Sequence, residues 1–231
     1  MRKLIVITML GLAATLANAA DGVNKKAVQS EVSLEAGYTT LNQANGLAYI
    51  GNSSYFSASI AAKNDFVTPT LSATYLPKGS ESQAVFGIGL EKSFLKDKIV
   101  APTVSASYTR REFDSTSIVD NSEFAAGISL KNKYITPYVR YFNTLSYDNK
   151  GAAVGLTTDF SYKKFVLTPK FEYGIPTFGS EFWVGSAKLG YKLTSNLTPF
   201  VSVSILDNKL SNSINTLDQE VATTVGINFT F

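Results

Sequence analysis

Apolar and polar residues alternate with a period of two, five proline-centred segments recur at near-constant intervals, and no stretch after residue 20 shows helical periodicity. Together these observations predict an all-β fold: one closed, antiparallel, up-and-down β-barrel of about twelve strands, with ten and fourteen as the neighbouring counts.

The chain begins with Arg2 and Lys3, an apolar run from Leu4 to Leu16, and Ala17-Asn18-Ala19. This pattern reads as a secretory signal peptide over 1–19, leaving 20–231 as a single barrel domain. The run is too short to span a bilayer as a helix, and no later run reaches the roughly 18 apolar residues a transmembrane helix needs. Cysteine is absent, so neither disulfides nor thiolate metal sites hold the fold. Lys and Arg number 21 against 18 Asp and Glu; without Arg2 and Lys3 the balance is about +1, which argues against a partner bound by phosphate neutralisation.

The first strand sets Val28, Val32, Leu34, Ala36 and Tyr38 against Gln29, Glu31, Ser33, Glu35 and Gly37. The same alternation returns at Phe86–Leu90, at Phe124–Leu130 and in the final strand. Pro69, Pro102, Pro137, Pro169 and Pro199 each follow a short polar turn, at the start of a strand, where a missing ladder donor costs least. Two strands per repeat give roughly 28–41, 54–63, 66–76, 83–94, 98–113, 122–131, 134–146, 151–162, 165–174, 181–193, 197–206 and 219–231. Short turns alternate with longer polar loops, notably 42–53 and 207–218, as in membrane barrels.

Several of these strands reach ten residues or more, enough to cross a bilayer at a tilt of about 45°. Their apolar faces carry rings near both ends. Tyr75, Tyr108, Tyr141, Tyr173 and Trp183 stand on the loop side, and Phe94, Tyr162, Phe165 and Tyr191 on the turn side, the pattern of two interfacial girdles. Arg110, placed outward near a loop, is a candidate contact for lipopolysaccharide phosphate or a solvated rim charge.

The last strand sets Val225, Ile227, Phe229 and Phe231 on one face. It resembles the C-terminal assembly signal of Gram-negative outer-membrane β-barrels, and with the proline-hairpin repeats the mature chain is similar to the porin-like superfamily without indicating a subfamily. The resemblance implies an outer-membrane location, surrounding lipid and lipopolysaccharide, the barrel-assembly machinery as a biogenesis partner, and a monomer. The strand count resembles that of small monomeric channels for acidic saccharides, but strongly basic lumens describe those and this chain lacks one.

The opposite face is rich in Ser, Thr, Gly and Ala, side chains too small to fill so wide a barrel, so a water-filled lumen is expected. Its charges are mixed: Glu31, Glu35, Glu91, Asp159 and Glu172 against Arg111, Arg140, Lys170, Lys188 and Lys192. Glu35, Arg140, Lys170, Glu172 and Lys188 are the selectivity candidates, with internal pairing of these charges as the competing expectation. Histidine is absent, which removes the usual barrel-enzyme base; Asp114, Asp120 and Glu123 are assigned to a solvated loop, so no catalytic residue is expected. No metal or cofactor is expected either. Two classes of function remain: a passive channel for small hydrophilic solutes, and a structural or surface-interaction barrel with an occluded lumen.

Overall fold

The computed structural model describes residues 29–40, 43–44, 47–48, 52–63, 67–77, 82–95, 100–114, 120–146, 149–177, 181–208 and 219–231. The leader expected over 1–19, half of loop 42–53 and most of loop 207–218 lie outside the described residues.

Twelve strands make the barrel. They are β1 Gln29–Thr39, β2 Ser53–Lys63, β3 Thr68–Leu76, β4 Gln83–Ser93, β5 Val100–Phe113 and β6 Asn121–Asn132, followed by β7 Thr136–Thr144. Next come β8 Asn149–Thr157, which resumes at Phe160–Tyr162, then β9 Phe165–Pro176, β10 Phe182–Tyr191, β11 Leu197–Asn208 and β12 Gln219–Thr230. A two-residue ribbon, Gln43–Ala44 with Leu47–Ala48, forms a separate small sheet.

Each barrel strand pairs antiparallel with its neighbours in sequence, and β1 closes on β12 from Ser33↔Thr230 to Thr39↔Thr224. Closure leaves the twelve-stranded ring without an unpaired end strand. The registers accumulate a stagger of about 16 residues around the ring, which inclines the strands by roughly 45°.

Alternation then sorts the side chains. Phe56, Leu71, Ile88, Ile128, Val139 and Val154 stand exposed on the outside, forming a belt no soluble fold of this size would leave bare. The five repeat prolines share that outer face, paired with Leu90, Leu130, Leu156, Ala187 and Ile227 near the turns. Strand β8, expected to run unbroken to residue 162, is interrupted at Thr158 and Asp159. There the Thr158 amide donates to Pro169 O at 3.3 Å and the Thr168 hydroxyl donates to Asp159 at 2.5 Å.

The inner face also holds rings, which composition had not brought out. Tyr55, Tyr138, Phe142, Phe182 and Phe200 point inward, and each is the direct cross-strand partner of a glycine: Gly37, Gly155, Gly151, Gly174 and Gly226 respectively. The rings lie over these glycines so closely that a Cβ on Gly174 would fall 2.2 Å from Phe182 Cζ, and one on Gly155 2.2 Å from Tyr138 Cζ. Missing side chains thus become seats for aromatic ones, and the rings rest along the wall.

A charged lumen wall as the candidate functional site

All five selectivity candidates stand on the inner face, and two networks hold them. On one wall the Glu172 carboxylate accepts from Arg140 Nη2 at 2.7 Å and Nε at 3.2 Å, and from the Tyr138 hydroxyl at 2.7 Å. Lys170 Nζ lies 3.6 Å from the same carboxylate, and Arg140 Nη1 lies 3.6 Å from Glu123. Arg140 on β7 reaches Glu172 on β9 over β8, which offers only Ala153 and Gly155 at the intervening inner positions. Glu172 is 1% exposed, and this carboxylate survives burial because a bidentate guanidinium and a phenol satisfy it.

The second network crosses more of the ring. Lys188 on β10 donates to Glu35 on β1 at 2.9 Å, passing over β11 and β12. The Tyr55 hydroxyl donates to the other Glu35 oxygen at 2.7 Å, and Lys188 Nζ sits 3.6 Å from the centre of the Phe200 ring. At the turn-side rim Lys63 pairs with Glu31, and Lys131 with Glu91 at 2.5 Å. The lumen charges are thus largely neutralised in pairs.

Glu123 corrects the expected loop assignment. It is the third residue of β6 and faces inward toward Arg140, because the alternation that continues from Ala125 and Gly127 already includes it. Lys63 and Lys131, the last residues of two expected strands, also join the inner charges at the rim, each paired with an inner carboxylate. Among the described residues no group of three or more His, Cys, Asp or Glu is arranged to hold a metal.

The inner face differs between the two ends. Toward the loops, Leu76, Gln83, Phe113, Asn121 and Leu206 are buried. Toward the turns, Ser105 and Lys131 are exposed.

On the outside, Tyr75, Tyr108, Tyr141, Tyr173 and Trp183 stand toward the loops. Tyr108 donates to Ser122 at 3.1 Å and Trp183 Nε1 to Asp207 at 2.9 Å, so their polar ends are held while the rings stay outward. Arg110 is outward too and pairs with Glu112 at 2.9 Å. Val225, Ile227 and Phe229 line the outer face of β12, and Phe231 follows, its ring 4.5 Å from that of Phe229.

No protein-family model matches the chain, and no characterised protein matches it by sequence. Its structure, however, is similar to solved barrels. The KdgM porin aligns over 87% of this chain and 99% of its own at 12% identity, with a TM-score of 0.55. This chain has the porin fold. The NanC porin agrees, with 11% identity, coverage of 86% and 98%, and a TM-score of 0.56. KdgM has also been solved in complex with disordered oligogalacturonate. At this identity the porin likeness is one of fold.

Proposed function

We propose that the protein is a channel of the bacterial outer membrane through which small hydrophilic solutes diffuse passively. The observation that carries this reading is a closed ring, apolar outside and lined inside by hydroxyls and charges, whose inner rings lie over glycines instead of crossing the bore. The leader over 1–19 and the terminal strand fit export and barrel assembly, with Val225, Ile227, Phe229 and Phe231 as the assembly signal. Tyr75, Tyr108, Tyr141, Tyr173 and Trp183 act as the loop-side girdle. No residue is assigned a catalytic role.

Strong charge selection is not part of the proposal. Arg140 and Lys188, the cations that would draw an acidic saccharide, are engaged by Glu172 and Glu35. Lys170 is the exception: its side chain is 42% exposed, and Glu172 is held more closely by Arg140 and Tyr138 than by Lys170 at 3.6 Å. It is the lumen residue expected to tune permeation most.

The burial of Leu76, Gln83 and Phe113 toward the loops favours a second reading, a barrel closed at that end that serves surface contact. Planar bilayers decide between them. The purified chain should give stepwise conductance, and Lys170→Glu should move permeability toward cations. A barrel that inserts yet seals the membrane would overturn the channel and leave the surface-contact reading.

A further inference from the structure

The outer wall over β6 to β9 is hollowed. Ile128, Leu130, Val139, Val154, Leu156 and Phe171 line a groove of roughly 590 Å³ that is almost wholly apolar, with Pro137 on its floor. On the turn side of the same strands stand Lys133, Lys163 and Lys164. Each lies over a tyrosine ring, at 5.9 Å from Tyr134, 5.4 Å from Tyr162 and 5.9 Å from Tyr191. Among the described residues these three lysines form no ion pair, whereas Lys63 and Lys131 on the inner side are matched with Glu31 and Glu91. A hydrogen bond from the Thr158 hydroxyl, at the interruption of β8, to Tyr134 O ties that strand to the turn that carries Lys133.

We propose that this surface binds one anionic phospholipid, with an acyl chain in the groove and the headgroup phosphate at Lys133, Lys163 and Lys164. The inference rests on the membrane placement above and extends it to a specific lipid contact. Two independent features converge on it. Leu130 is three residues from Lys133, about 10 Å along an extended chain, well within the span of a glycerol and its acyl chain. A lysine held over a ring face still presents donors outward, so its charge stays available to a phosphate. Hydrocarbon alone gains little from one apolar surface over another, so retention of a particular lipid must come from groove shape and headgroup charge together.

The test uses the full chain in nanodiscs of phosphatidylcholine with a minor share of phosphatidylglycerol, and native mass spectrometry of the lipid that stays bound. Retained lipid should be enriched in phosphatidylglycerol, and Lys133→Ala should cut that enrichment roughly fivefold, as should Lys163→Ala. Val154→Trp, which fills the groove and leaves every lysine in place, should abolish retention, while Lys63→Ala should leave it intact. Equal retention of both lipids would overturn the site, and so would enrichment that survives Val154→Trp, since rim charge alone would then explain it. A dimer that Val154→Trp dissolves would overturn it in favour of a second copy seated in the groove. A chain that never inserts into the discs would sink the membrane placement itself, whereas an inserted barrel without enrichment would sink only the lipid site.

Discussion

The two halves of the lumen solve different problems with the same alternating pattern. Toward the loops the inner positions carry Leu76, Phe113, Phe142, Phe182 and Leu206, which pack as a core would, with Phe142 and Phe182 at 6.0 Å. Toward the turns they carry Ser105, Glu91 and Lys131, which face solvent. A barrel therefore need not be uniform inside: buried apolar side chains pack toward one end, and exposed polar ones stand toward the other.

Substitutions in the packed half should be the costly ones. Glu172→Ala removes the bidentate partner of the buried Arg140 and leaves it only Glu123 at 3.6 Å, which should destabilise the barrel by about 3–5 kcal/mol, read from denaturant unfolding in detergent. A loss below about 1 kcal/mol would mean that Arg140 finds solvent, and that the wall network is wetter than its burial indicates. Next in size is Gly174→Ala. Its Cβ would displace the Phe182 ring into the bore, costing about 1–3 kcal/mol and lowering single-channel conductance. Unchanged conductance with lowered stability would show that the ring yields without narrowing the path.

The open half should respond in the opposite sense. Ser105→Phe adds a ring at an exposed inner position, so conductance should fall while stability stays within about 0.5 kcal/mol. A large loss of stability there would show that the turn-side wall is packed after all, and the contrast between the halves would fail. Smallest of all is Lys131→Ala at the rim: its ion pair with Glu91 is nearly half exposed, and its removal should cost well under about 1 kcal/mol, less still at high salt.

The glycine seats show why part of this wall was legible and part was not. Alternation placed Gly37 on the inner face from the sequence alone, as it did Glu35, Arg140, Lys170, Glu172 and Lys188. What it does not give is the residue opposite. Gly174 faces Phe182 and Gly226 faces Phe200 only once the register is known, and the inner rings were therefore passed over in favour of the more numerous Ser and Thr. Glu123 was missed for a related reason, since its neighbours Asp114 and Asp120 suggested a loop while its own strand alternation continued through it.

By itself the sequence pointed to about twelve strands, to the short turns marked by proline, and to the side of the wall that most strand residues take. Those properties are local, because side chains on an extended chain alternate whatever surrounds them. Only the tertiary structure decided that Lys188 meets Glu35, 153 positions away, and that Arg140 closes on Glu172 over a strand of small residues. Such partners depend on the stagger summed around the whole ring, a quantity that no single strand carries.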